Sequence, residues 1–111
     1  MGIKRYTAAA DTTIVNAYKP SLTTRGTGSN AGAADVMEVF SVYGRQASGS
    51  QELSRALLKF SMDQITADRA AGTIPASGSV SFYLRVSNAP HSKPVPESFT
   101  LVAQPVTRSW Q

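Results

Sequence analysis

The sequence SVSFYLRVS, residues 79–87, alternates between two kinds of side chain along its whole length. One face carries Val80, Phe82, Leu84 and Val86, and the other carries Ser81, Tyr83, Arg85 and Ser87. Because successive side chains of a strand point to opposite sides, this pattern predicts a half-buried β-strand. Tyr83 lies opposite the apolar face, so we expect it to contact a partner chain.

Four further segments have strand character. Val36–Tyr43 places apolar side chains on both faces, which predicts a strand covered by its own core and by a neighbour. The neighbour-facing side chains would be those of Met37, Val39 and Tyr43. The other candidates are Ser98–Val106, where Pro105 suits a strand end, and the weaker pair Ile3–Ala8 and Thr12–Tyr18.

The stretch Glu52–Arg69 is ambiguous, because its apolar residues fit both a helix and a strand. The strand patterns on either side favour a strand over Leu53–Phe60, followed by a short helical turn over Asp63–Ala70.

Short strands separated by loops rich in Gly, Ser and Pro are typical of an antiparallel β-sandwich or jelly roll. The loops are Lys19–Asp35, Gly44–Gln51 and Ala89–Glu97, and the length of 111 residues suits one domain, residues 1–111. The chain stops just after a predicted strand, so we expect it to be a fragment or the N-terminal ordered part of a longer polypeptide.

The predicted core is one apolar layer formed by Phe60, Phe82, Leu84, Val86 and Phe99. Truncation of Phe82 to alanine should then cost about 3–5 kcal/mol. By contrast, Arg25 lies in the glycine-rich loop, so Arg25→Ala should change stability by less than about 0.5 kcal/mol while weakening the attachment of a partner.

Charge, hydropathy and cysteine content argue against a nucleic acid partner, a membrane segment and thiol-based sites. The net charge is +4, but the Lys and Arg residues are spread along the chain without a basic cluster, so we expect no nucleic acid partner. The N-terminal residues have no apolar run behind them, so we expect neither a secretory signal nor a membrane span. The absence of cysteine removes disulfides and thiolate metal sites.

No constellation of residues predicts catalysis, a cofactor or a metal. Residues 26–31, GTGSNA, satisfy the G-x-G-x-x-A pattern, but they lie in a long loop that leads to a predicted strand, so we interpret them as a turning loop. The single histidine, His91, lies in a proline-bounded loop, and the acidic residues are dispersed. We therefore expect a non-enzymatic protein without a cofactor.

Exposed aromatic rings on a sandwich can also stack on sugars. The candidates are Trp110, Tyr43 and Tyr83, with a host glycan as the ligand. Aromatic residues at strand spacing more often belong to a core or an interface, so this interpretation is the alternative one.

Two segments, LSRALLKF at Leu53–Phe60 and IPASGSVSFYLRV at Ile74–Val86, carry a family resemblance. They resemble parts of the disaggregatase-related (DNRLRE) β-sandwich family. Val106–Trp110 and the short loop Asn30-Ala31-Gly32 are also similar to parts of that family. The resemblance covers Ser29–Trp110 and implies a β-sandwich similar in architecture to carbohydrate-binding modules.

A second resemblance covers the whole chain and rests on Tyr6–Ile14, Leu22–Asn30 and Asp35–Tyr43. With these segments, the chain resembles more closely the N-terminal region of virion structural proteins of marine tailed phages. It implies a structural role in the virion, as a module that anchors a fibre or appendage at the neck or tail, or alternatively as a capsid decoration protein. The implied partners are other virion structural proteins and copies of the chain itself, with Tyr83, Met37, Val39, Tyr43 and Arg25 as interface candidates.

Overall fold

The computed structural model describes residues 2–21, 23–43 and 51–110. Three strands, β1 (Ala10–Val15), β2 (Ser41–Tyr43) and β3 (Gln51–Lys59), precede one helix, α1 (Met62–Ala70). The regular structure is therefore mainly strand, which is consistent with a small all-β fold. Of the predicted loop Gly44–Gln51, residues 44–50 lie outside the described residues, and Gln51 is the first residue of β3.

The strands form one antiparallel sheet in the order β1-β3-β2. Ala10 of β1 pairs with Lys59, and Val15 pairs with Ser54; Ser41 of β2 pairs with Leu53. The β-branched run from Thr12 to Val15 suits the pleated backbone of β1. The predicted strand over Leu53–Phe60 is confirmed as β3, the central strand, and the weaker candidate at Thr12–Tyr18 is confirmed as β1 with shifted bounds.

The helical turn predicted over Asp63–Ala70 is also confirmed, as α1. Local interactions explain where this helix begins and ends. Asp63 in the first turn and Arg69 in the last turn oppose the partial charges of the helix ends. Gly72 has φ of +73°, and its amide donates to the carbonyl of Arg69 over 3.1 Å. A residue without Cβ adopts this left-handed conformation at low cost, so the helix stops there.

Buried side chains are few. Among the described residues, only Ile74 and Ser54 are buried, each 7% exposed. Ile74 follows α1, and its amide and that of Thr73 both donate to the carbonyl of Asp68. Ser54 lies on β3, where the segment leading into β2 crosses close to the strand.

Several strand predictions are wrong for the described structure. Ser79–Ser87 and Ser98–Val106 have no strand structure, Ile3–Ala8 has none, and Val36–Tyr43 is a strand only over its last three residues. The predicted apolar layer does not form either, since Phe82, Leu84, Val86 and Phe99 each expose more than half of their surface. The physical reason is that alternation predicts a strand only where a second strand is available to accept its backbone hydrogen bonds. The β-sandwich stays a prediction.

Candidate functional site

The most exposed apolar surface lies on residues 79–106, which we name the C-terminal arm. Phe82 is 60% exposed and Tyr83 is 89% exposed. Monomeric soluble proteins seldom leave so many large apolar side chains in one segment uncovered, and such surfaces mark sites of interaction. The side chains of the arm that expose more than half of their surface are Phe82, Tyr83, Leu84, Val86, Val95, Phe99, Leu101, Val102 and Val106.

The backbone of the C-terminal arm is also uncovered. The amide of Ser79 donates to the carbonyl of Ala76 over 3.1 Å, and beyond that residue no backbone hydrogen bond forms among the residues that the structure describes. Such groups are satisfied by water only as long as the arm stays exposed. The arm therefore has both the side chains and the free backbone groups that a strand needs.

The outer edge of β1 likewise has backbone groups without hydrogen-bond partners in the described residues. The amide of Asn16 donates to the carbonyl of Leu53, and the amide of Ser54 donates to the carbonyl of Phe40. Since bonding groups alternate along an antiparallel ladder, the amides of Asp11, Thr13 and Val15 point away from β3. These three amides have no partner in the described ranges, so β1 is an unpaired edge.

Trp110 lines two clefts, one beside β1 and the loop of residues 28–32, and the other beside the end of β3. The larger cleft has a volume of about 760 Å³ and is lined by Trp110, by residues 10–14 of β1 and by the loop residues 28–32. The smaller, of about 330 Å³, lies between residues 58–60 and residues 106–110. The structure thus brings the predicted sugar-stacking Trp110 beside Asp11, Thr12 and Asn30, whose side chains can form hydrogen bonds.

The other two sugar-stacking candidates do not join that cleft. Tyr83 does not line it, and the side chain of Tyr43 lies outside the described part of the structure. Met37 is half-buried and Val39 is 56% exposed, in the segment that precedes β2. Their assignment to an interface stays a prediction.

Arg25 holds a small hairpin together. Its guanidinium lies 3.8 Å from the centre of the Tyr18 ring, and it also donates to the carbonyl of Asn16. Arg25 and Tyr18 face each other in a single antiparallel bridge, flanked by the bond from Lys19 to Thr24. The loop is therefore folded, and its arginine stabilises the chain itself. Sequence reasoning missed this contact because a turn alone does not specify which side chains meet across it.

A second cluster that the sequence did not predict ties the N-terminal segment to α1. The Tyr6 hydroxyl donates to Oδ2 of Asp68 over 2.7 Å, and Nζ of Lys4 lies 3.6 Å from the same oxygen. The hydrogen bond to Asp68, followed by desolvation, raises the pKa of Tyr6 above its usual value. The partners are 62 residues apart, so no local pattern could have found them. The cluster therefore holds the N-terminal segment against α1.

The other candidate residues for metal, cofactor or catalytic chemistry do not come together in the described structure. In the described ranges, no three His, Cys, Asp or Glu side chains come together as a metal site would require. His91 is exposed, and the G-x-G-x-x-A residues lead into a turn instead of a helix. Within the same ranges, no helix is long and apolar enough to cross a membrane. Comparison with known proteins identifies no matching family model, no matching curated protein and no matching solved structure.

Proposed function

We propose that this chain is a non-enzymatic structural protein of a tailed-phage virion, an assembly or anchoring module at the neck or tail. The observation that carries the proposal is the C-terminal arm, whose apolar side chains are left exposed by the chain itself. A subunit that completes its fold only in an assembly has this property, because its partners supply the missing contacts. The resemblance to virion structural proteins supports the same role.

The β-sandwich belongs to this proposal. The described sheet has three strands, and the arm carries two more segments with strand patterning, Ser79–Ser87 and Ser98–Val106. If neighbours order these segments as strands, the assembled unit gains the additional strands that a sandwich requires.

Mass spectrometry of purified particles tests the proposed role. We expect peptides of this chain in intact virions, enriched in separated tails relative to tail-free capsids. Enrichment in the capsid fraction would assign it instead as a capsid decoration protein. Absence from intact virions, while the chain is abundant in infected cells, would contradict both.

A carbohydrate-binding module is the second candidate, and the cleft beside Trp110 is the observation that favours it. Its lining combines an aromatic ring with hydroxyl and amide side chains, which are the groups that stack on a sugar ring and form hydrogen bonds to it. Trp110 is the only tryptophan, so its fluorescence reports directly on this cleft.

Titration with a panel of sugars up to about 10 mM, well above a millimolar Kd, tests that candidate. A sugar ligand should change the emission saturably, and Asn30→Ala should weaken the binding. Tyr83→Ala is the matched control, because Tyr83 does not line the cleft. Emission that does not respond to any sugar would remove this candidate and leave the structural role untouched.

A further inference from the structure

The chain exposes far more surface than its size requires. Its accessible surface is 9872 Å², whereas a compact monomer of this mass exposes about 5,900 Å². Its radius of gyration is 18.2 Å, against about 13 Å for a compact domain of this length. The excess of about 4,000 Å² per chain is as large as the area that stable obligate interfaces bury.

Nine of the sixteen most exposed large apolar side chains of the described residues lie on the C-terminal arm, and the chemistry of the arm specifies what can cover it. The face formed by Val80, Phe82, Leu84 and Val86 needs an apolar surface, and the backbone beside it needs a row of amides and carbonyls. An unpaired strand offers that row, as in the recognition of extended peptides by sheet edges.

The same chain supplies such an edge. The amides of Asp11, Thr13 and Val15 point away from β3, and Ile14 and Val15 are more than 40% exposed. Arm and edge therefore complement each other between any two copies. A closed arrangement in which each copy gives its arm and receives another would cover both, by the exchange of identical elements.

We infer that the partner of the C-terminal arm is a second copy of this chain, whose β1 edge receives residues 79–87 as an added strand in a closed homo-oligomer. This inference rests on the proposed assembly role, and it identifies a second copy of the chain as one partner in that assembly. The sheet of each copy then gains a fourth strand from its neighbour, and the apolar side chains of that strand pack beside those of β1 on one face of the neighbour's sheet.

Light scattering coupled to gel filtration on the full chain tests the inference. We expect a mass of at least twice 11.8 kDa at about 100 μM, falling towards 11.8 kDa on a hundredfold dilution. Phe82→Asp places a charge on the face that packs, so it should shift the dilution midpoint upward at least tenfold. Ser81→Asp adds the same charge one residue away on the opposite face, and it should shift the midpoint by less than threefold.

Hydrogen exchange of the backbone amides tests the same pairing in the unmodified chain, without any substitution. In the oligomer, every second amide within residues 80–86 and the amides of Asp11, Thr13 and Val15 should be protected at least tenfold, and dilution to the monomer should remove both protections together. Protection of the arm in a monomer would mean that it pairs with its own sheet, and this outcome overturns the inference.

A monomer at every concentration with an unprotected arm also overturns it. If such a chain is nevertheless found in virions, the arm binds a different virion protein, and the proposed function stands without the self-association. If the chain oligomerises as expected but is absent from virions, the proposed function fails while the pairing of arm and edge stands.

Discussion

Replacement of Ser54 by alanine removes the contact that holds the segment before β2 against the central strand. The Ser54 hydroxyl accepts a hydrogen bond from the Phe40 amide over 2.6 Å and donates one to the Glu38 carbonyl over 2.8 Å. Ser54 is 7% exposed, so water reaches its surroundings poorly. The variant leaves a donor and an acceptor without a partner.

The expected cost follows from those two groups. A buried polar group that loses its partner costs about 1–3 kcal/mol. Phe40 is half-buried and Glu38 is exposed, so water satisfies part of the loss at Glu38. The backbone bond from the Ser54 amide to the Phe40 carbonyl survives the substitution. We therefore expect Ser54→Ala to lower the free energy of unfolding by about 2 kcal/mol, a large share of the stability of a small domain.

Urea denaturation followed by circular dichroism, at one fixed protein concentration, measures this change. With an m-value of about 2 kcal/mol/M, the midpoint should fall by about 1 M. Ser61→Ala is the matched control, because Ser61 precedes α1 without a side-chain capping bond and is exposed, and it should change stability by less than about 0.5 kcal/mol. Equal midpoints for the two variants would refute the reasoning that Ser54 holds the segment.

Three further perturbations have definite expected outcomes. Tyr6 donates to Asp68, which raises its pKa, so this bond stabilises the chain fully below about pH 10 and the stabilisation is lost as the pH rises through the raised pKa. Absorbance titration near 295 nm should show one tyrosine that ionises later than free tyrosine, and Asp68→Ala should bring it back. Arg25→Ala removes the contacts to Tyr18 and to the Asn16 carbonyl, and it should cost about 1–2 kcal/mol in urea denaturation, in contrast to the small change expected from sequence. Phe82→Ala should cost less than about 1 kcal/mol in the dilute monomer, because its ring is already exposed, whereas it should weaken the oligomer.

Each of these outcomes has a control. Tyr6→Phe should abolish the late titration, and a late phase that persists would belong to another tyrosine. Arg85→Ala removes an exposed arginine of the arm and should leave the stability of the monomer unchanged. A loss of 3 kcal/mol or more for Phe82→Ala in the monomer would restore the buried layer that the sequence predicts.

The elements whose hydrogen bonds are local, or whose partner lies nearby, were predictable. The α1 turn was found because a helix satisfies its backbone within one segment. The strand over Leu53–Phe60 was predicted from the strand patterns on either side of an ambiguous segment, although of the patterns next to it only Ser41–Tyr43 is a strand in the structure. For the site, the sequence predicts that Tyr83 contacts a partner chain and that Trp110 is a sugar-stacking candidate. Tyr83 is 89% exposed and Trp110 lines a cleft, and both roles stay predictions.

What the sequence determined by itself is the tendency of each segment: which residues alternate, where turn-forming residues fall, and that the histidine and the acidic residues are spread along the chain. Only the tertiary structure decided which tendencies are realised within one chain. Ser79–Ser87 has the best strand pattern, yet it stays unpaired, because a strand is stable only when another strand accepts its backbone bonds and a surface covers its apolar face. Arg25 on Tyr18 and Tyr6 on Asp68 were likewise decided by the folded path of the chain, since contacts across 7 and 62 positions depend on where the turns bring the backbone.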